Sequence, residues 1–190
     1  MTLDVRPATV FDDVRAVIGP KSPDATVCWC LSHRVPSKVD HTLKGQERGA
    51  YVAELCRAEV APGVLAYDGD VPVGWAAVAP RAQTSYARSR VIPHVDDLPV
   101  WSLWCVRVRP GHRKKGVSHA LIEGAVAYAR ERGAPAIEAY PLDNGEARVD
   151  TTMAYVGMRR NFERAGFTFA AGTKSKLVGL PRIVMRLDLR

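Results

Sequence analysis

The sequence predicts an α+β fold, a mixed, mostly antiparallel central sheet flanked by helices in the order β-α-α-β-β-β-α-β-α-β-β. Three observations carry this. Two short apolar runs between Gly63 and Ala79 meet at Asp68-Gly69, a dipeptide that tolerates the positive φ angles of a tight hairpin. Val100 to Val108 is rich in Trp and β-branched residues, short enough for a buried strand, and is followed by an apolar stripe at helical spacing. A hairpin combined with helical crossovers implies a mixed sheet covered by helices rather than a doubly wound parallel one. At 190 residues and 47% hydrophobic content, residues 1–190 suit one domain with a full core.

Taken in order, Leu3 to Ala8 reads as a strand and Val10 to Ile18 as a short helix ended near Gly19-Pro20. Lys21 to Asp40, with Pro23 and Pro36, reads as a loop carrying Cys28-Trp29-Cys30. Thr42 to Val60 places Tyr51, Val52, Leu55, Cys56 and Val60 at helical spacing, weakened by Gly45 and Gly49. The hairpin follows, then a long surface connection from Pro80 to Pro99 with room for one helical turn. After the Val100 strand, Val117, Ala120, Leu121, Gly124, Ala125 and Tyr128 form one face of a helix ending at Gly133. Ala136 to Tyr140 is a strand, Tyr155 to Ala165 a helix stopped by Gly166, and Phe167 to Ala171 and Arg182 to Leu189 are closing strands.

The net charge of +7 is unevenly distributed. Residues 1–100 hold 11 Lys/Arg against 12 Asp/Glu, whereas the remaining 90 hold 16 against 8. The excess is densest from Arg107 to Lys115, where five Lys/Arg and one His occur with no acid. Such a field suits a small polyanion as well as a nucleic acid. No uncharged apolar run approaches the roughly 18 residues of a membrane span, so the reading is a soluble, cytoplasmic chain. Four cysteines read as buried thiols, and the single residue between Cys28 and Cys30 does not match zinc-ligand spacing, so no metal is expected.

Residues 106–121 carry the chemistry. Pro110 ends the strand, and Gly111 and Gly116 let the backbone turn without a side chain in the way. The first-turn amides at Gly116, Val117 and Ser118 have no intrahelical acceptor and lie at the positive end of the helix dipole. That is an anion site, surrounded by Arg113, Lys114 and Lys115, and the ligand should carry phosphates. The glycine pattern matches neither a Walker loop nor the G-x-G-x-x-G of dinucleotide folds.

Val108-x-Pro110-x-x-Arg113-x-x-Gly116-Val117-Ser118-x-x-Leu121 resembles the coenzyme A signature of the GNAT superfamily of N-acetyltransferases. The resemblance covers the full chain. The hairpin at Asp68 to Trp75 sits where that family turns between its second and third strands. Phe162-Glu163-Arg164-Ala165-Gly166-Phe167 resembles its closing helix-to-strand motif. The resemblance implies acetyl-CoA as donor. Backbone at Val106, Arg107 and Val108 would hold the pantetheine arm where the fourth strand splays from the fifth, and amides from Arg113 through Lys114, Lys115, Gly116 and Val117 to Ser118 would hold the pyrophosphate. The Val106 backbone would also help polarise the thioester carbonyl.

Two departures stand out. Ser118 replaces the family's usual Gly or Ala, and Phe162 replaces the Tyr that protonates the departing thiolate, although its place in the motif still puts it beside the cofactor. Seven residues earlier, where an Asn often contacts the cofactor, stands Tyr155. On the expected helix Tyr155 and Phe162 would share a face about 10 Å apart, so one hydroxyl cannot simply replace the other. Tyr155 is nonetheless the candidate for contact with the pantetheine or thioester sulfur, and the alternative is a packing residue.

No carboxylate lies in Val100 to Arg109. The remaining candidates for proton transfer are Asp96, Asp97, Glu138, Cys105, Ser102 and Tyr155. A sparse proton-transfer apparatus suits an acceptor already neutral near pH 7, such as an aromatic amine. Trp29, Trp101 and Trp104, with Tyr86, stand in the segments from which the resembled family builds its acceptor pocket and point to a flat or apolar acceptor, the alternative for Trp29 being an anchor that holds its loop to the core. Asp143 to Thr152, with Gly145, Glu146, Arg148 and Asp150, is polar enough for a flap over the cleft. The expected partner is a small-molecule or peptide amine, with the chain acting as monomer or homodimer and neither membrane nor nucleic acid involved. The alternative reading is an acyl-CoA-binding or regulatory module without strong catalysis.

Overall fold

The computed structural model describes all residues except 1, 2, 23, 24, 146, 148 and 151–153. The elements are β1 (Leu3–Pro7), α1 (Phe11–Ile18), α2 (Ser37–Thr42), α3 (Gln46–Arg57), β2 (Gly63–Asp68), β3 (Val71–Pro80), β4 (Trp101–Val108), α4 (Val117–Glu131), β5 (Ala136–Ala139), α5 (Arg159–Glu163), β6 (Thr168–Leu177) and β7 (Leu180–Asp188). One seven-stranded sheet runs β1-β2-β3-β4-β5-β7-β6, antiparallel except for the parallel β4–β5 pair. The expected mixed, mostly antiparallel sheet with flanking helices is therefore what the chain forms.

Side-chain alternation divides the core between the two faces of the sheet. Val64, Ala66, Val73, Ala76, Val78 and Leu103 pack with the buried stripe Val117, Leu121, Ile122 and Ala125 of α4. Leu65, Tyr67, Trp75, Ala77 and Trp104 pack on the other face with Val14, Ile18, Val52 and Cys56 from α1 and α3. Gly69 turns the β2–β3 hairpin at φ +60°, as the Asp-Gly pair requires. Gly124 has a different purpose: a Cβ there would stand 2.2 Å from Val5 Cγ1, so the glycine lets α4 lie close over β1.

Four expectations need correction. The Thr42–Val60 segment is not one helix, because Gly45 takes φ +46° and separates α2 from α3; α2 also begins inside the expected 21–40 loop. Arg48 pins the break by donating to the carbonyls of Asp40 and Leu43. The 80–99 connection is not simply a surface loop. It forms two 3₁₀ turns and buries Arg81, Thr84, Tyr86 and Ile92. The expected Tyr155–Ala165 helix shrinks to α5, since Gly157 at φ +80° and extended Met158 stop it from starting earlier. Finally, the strand after Phe167 continues to Leu177, where it turns back into β7.

Candidate active site

The site lies where β4 runs on past its pairing with β5. That parallel pairing covers only Trp101–Leu103, whereas β4 continues to Val108. Register against β3 jumps from Ala77↔Cys105 to Val78↔Leu103, so Trp104 is an extra residue and β4 carries a bulge at the point of separation. A cleft of about 610 Å³ opens beyond it. One wall is Val106, Arg107, Val108, Arg109 and Pro110, the turn into α4 forms a second, and Tyr155, Met158, Arg160, Asn161 and Arg164 form the third.

The turn is shaped for an anion. Gly111, Lys114 and Gly116 have φ of +86°, +62° and +80°, and Gly116 caps α4 in the left-handed conformation. The chain coils into a concavity of main-chain N–H groups that ends at the helix start. A Cβ on Gly111 or Gly116 would meet nothing within 4 Å, so conformation, not crowding, calls for glycine there. His112 lines the same cleft with a buried Nδ1 that has no hydrogen-bond partner among the described residues. These groups fit a phosphate-bearing ligand.

Of the residues singled out in the sequence, Val106, Arg107, Val108, Arg113, Lys114, Gly116, Val117, Ser118 and Tyr155 line this one cleft. Lys115 is exposed beside it. Phe162 does not line it. Its ring is fully buried, packed edge-on against Phe167 and close above Gly157, in the core shared with α4. Tyr155 precedes α5 instead of lying on it, so the helix-face relation expected between Tyr155 and Phe162 does not exist.

The Val106 amide is also engaged. It donates to the Tyr155 carbonyl at 2.7 Å, while the Leu142 amide donates to Gly157 and the Arg159 amide to Leu142. Residues 154–157 thus span the gap between β4 and the chain beyond β5. The Tyr155 side chain is half-buried, and burial, partly offset by the Arg182 charge, pushes its hydroxyl above the usual tyrosine range. It is a protonated phenol at neutral pH.

The other candidates are occupied elsewhere. Trp101 is buried edge-on to Tyr128, Trp29 is buried against Phe11, and Trp104 donates its Nε1 hydrogen to the Cys30 carbonyl, so none of the three lines the cleft. Glu138 is buried in an ion pair with Arg81 at 2.6 Å, and burial raises its pKa against the pull of that arginine. Asp96 pairs with Arg186 at 2.8 Å. Ser102 Oγ meets the Tyr140 hydroxyl at 2.7 Å in the interior. The Cys30 thiol sits 2.9 Å from Cys105 Sγ, and that contact together with burial keeps Cys105 a neutral thiol. Cys28 is exposed. Of the expected flap, Glu146, Arg148, Thr151 and Thr152 lie outside the described residues.

Apart from Tyr155, sequence reading missed the third wall. Arg160, Asn161 and Arg164 bring two more cations to the cleft from α5. Their signal was the basic run Arg159-Arg160-Asn161 ahead of Phe162, which is seen to lie opposite the turn into α4 only once the fold is known. Among the described residues, no helix is long and apolar enough to cross a membrane, and no group of three His, Cys, Asp or Glu residues is placed to hold a metal ion.

Comparison with known proteins matches this fold. The sequence model of the Acetyltransferase (GNAT) family matches residues 35–167. The chain is similar in structure to an N-acetyltransferase from Staphylococcus aureus Mu50, with 15% identity, TM-score 0.58 and full coverage of both chains. It is similar to yncA from Salmonella typhimurium, solved with its cofactor acetyl-CoA, with 17% identity, TM-score 0.57 and coverage of 100% of this chain and 95% of the other. Ard1 from Thermoplasma volcanium gives 15% identity, TM-score 0.56 and coverage of 100% and 99%. No curated protein matches the chain in sequence.

Proposed function

The chain belongs to the GNAT acetyltransferase family, and from that premise we propose that it is an N-acetyltransferase moving an acetyl group from acetyl-CoA to an amine of a small-molecule or peptide acceptor. In this reading residues 1–190 work as one cytoplasmic acyltransferase domain. The observation that carries it is the coincidence, in one cleft, of the left-handed turn at Lys114 and Gly116, the unpartnered His112 Nδ1 and the separated strand β4. The amides from Arg113 to Ser118 hold the pyrophosphate, and Arg160 and Arg164 neutralise it from the opposite wall. When bound, acetyl-CoA supplies an activated acetyl thioester.

The chain's own groups then divide the work. The Val106 N–H, released from the Tyr155 carbonyl, polarises the acyl oxygen, and such main-chain donors are commonly the largest electrostatic contribution. The Tyr155 hydroxyl, kept protonated by burial, donates the proton that the departing sulfur needs, the role for which Phe162 has no hydrogen to give. Glu138, Asp96, Ser102 and Cys105 are held in structural contacts and the exposed Asp97 does not line the cleft, so the amine loses its proton to water or arrives neutral.

Thiol release from acetyl-CoA across an amine panel tests this. Tyr155→Phe should lower kcat by about 10²-fold, the scale of one general acid, with little change in KM for acetyl-CoA. Unchanged kcat and KM would remove Tyr155 from the mechanism. The second reading, a coenzyme A-binding module, is favoured by the engaged Val106 amide and by Phe162. It predicts that coenzyme A at about 100 times its dissociation constant adds about 2.7 kcal/mol of stability with no amine supporting turnover.

A further inference from the structure

Cys30 and Cys105 are 75 residues apart in the chain, yet their sulfurs stand 2.9 Å apart in the interior, closer than packing alone brings two thiols. The backbone is bent to place them there. Trp29 and Cys30 take φ of +51° and +54°, a left-handed pair without a glycine, and such conformations persist only where the surroundings over-determine them. Here they do: Arg48 donates to the Cys28 carbonyl at 3.1 Å, and the Trp104 Nε1 hydrogen goes to the Cys30 carbonyl at 3.1 Å. The turn is clamped on both sides of Trp29, and the second clamp comes from the residue next to Cys105. Trp104 is also the extra residue of the β4 bulge, so Cys105 is fixed where that strand leaves β5.

A small cavity adjoins the pair, apart from the cleft. Trp29, Cys30, Trp75 and Trp104 line it, and the half-buried Arg34 and Leu55 give it an edge at the surface. Its volume of about 10 Å³ suits one molecule near the size of water. Among the described residues, the buried Nε1 hydrogens of Trp29 and Trp75 have no acceptor. Two unused N–H donors beside a thiol fit a small molecule that accepts hydrogen bonds and reacts with sulfur. The two thiols are also unequal. Contact with Cys105, against burial and aided by the Arg107 charge and the Trp75 N–H, lowers the Cys30 pKa, whereas that contact and burial hold Cys105 well above the usual thiol range. Cys30 is therefore the nucleophile of the pair and Cys105 the thiol that follows it.

We propose that Cys30 and Cys105 form a peroxide-reactive couple, with hydrogen peroxide taken up in the tryptophan-lined cavity and a disulfide between the two residues as the product. The Cys30 sulfur attacks one peroxide oxygen; the O–O bond breaks, an S–O bond forms, and the departing hydroxide takes the proton that Cys30 gave up and leaves as water. Cys105 then attacks the sulfenic sulfur, an S–S bond replaces the S–O bond, and the second hydroxide leaves as water with the Cys105 proton. Two thiols are oxidised, one peroxide is reduced, and no other co-reactant enters. Bridging brings the sulfurs from 2.9 Å to about 2.05 Å, a small step from where the clamps already hold them. The bond ties the 28–30 turn to β4 one residue before Val106. This chemistry is independent of acetyl transfer, since it uses neither the cleft nor its ligand.

Peptide mapping of the wild-type protein tests it. After brief exposure to hydrogen peroxide and alkylation in denaturant, two of the four thiols should be lost, in one Cys30–Cys105 cross-linked peptide, with Cys28 and Cys56 alkylated. Dithiothreitol should restore all four. The bridged form should melt about 5 °C or more above the reduced one, because the bond closes a long loop. Cumene hydroperoxide, too bulky for the cavity, should react about 10-fold more slowly. Trp75→Phe, which keeps an aromatic ring and removes the N–H, should slow the reaction with hydrogen peroxide about 10-fold. Cys105→Ser should abolish the cross-link and leave Cys30 as a sulfenic acid that dimedone traps. Four intact thiols, a bridge between Cys28 and Cys30, oxidation confined to the exposed Cys28, or a bridged form that melts no higher than the reduced one would each overturn the proposal. Equal rates with the two peroxides, or in W75F and the wild type, would overturn the cavity as the place of reaction.

Discussion

His33 shows how one side chain records the charge around it. Burial, reinforced by Arg182, lowers its pKa from 6.5 to about 4, so the folded protein carries it neutral while the unfolded chain protonates it near pH 6.5. Between those values the unfolded state binds the extra proton, and stability rises with pH across the window, by up to about 3 kcal/mol in total. Urea titrations at pH 4.5, 5.5 and 7 should show that rise, and His33→Gln should flatten it. A wild-type protein equally stable at all three values would contradict the assignment. At this scale, sequence was legible where a residue's role depends on its immediate neighbours. The Gly111 to Ser118 turn was read correctly in conformation because glycine spacing and a following apolar stripe are local signals. Tyr155, Phe162 and the tryptophans were harder, since whether an aromatic ring faces a cleft or a core depends on partners such as Phe167, Tyr128 and Cys30 that lie far away in the chain. Arg182 carried no signal at all, because an arginine in a strand reads as a solvated edge until its burial is seen.

Among the elements, α4 was foreseen closely and α5 poorly, and the difference is length. Fifteen residues display a periodic stripe that outweighs propensity, whereas the five residues of α5 are fixed by Gly157 and by the bridge from Leu142 to Met158. Gly124 illustrates the hazard of reading glycine only as a helix breaker. Inside α4 it costs helix propensity, yet Val5 occupies the space a side chain would need. Gly124→Ala should therefore destabilise by about 1–3 kcal/mol despite its better propensity, through overpacking of α4 against β1. Chemical denaturation checks this, and a stabilised variant would mean that helix and strand separate more easily than their packing implies. The 80–99 connection was read as surface because Arg, Ser and Pro dominate it, but the Arg81–Glu138 pair draws it inward beneath β5.

For the whole molecule, the arrangement of charge was visible early, as a basic second half against a nearly balanced first half, and the fold concentrates that excess around one cleft from both Arg113 and Arg164. A polyanionic donor should be attracted over a distance set by salt. Its dissociation constant measured by calorimetry should rise several-fold between about 0.05 and 0.5 M salt, as the screening length shrinks from over 10 Å to a few ångströms. Affinity indifferent to salt would place the binding energy in apolar contacts instead. The succession of seven strands along the chain was equally legible, their placement in the sheet, with β7 between β5 and β6, less so. The bond from the Val106 amide to the Tyr155 carbonyl was not, and it bears on timing. In the proposed acetyl transfer, the resting protein keeps the Val106 N–H, the donor meant for the acyl oxygen, occupied by its own peptide group, so the centre would complete itself only as the thioester takes that partner's place. On that proposal binding would be compulsory in order, thioester before amine, because an acceptor arriving first would find nothing yet assembled to react with.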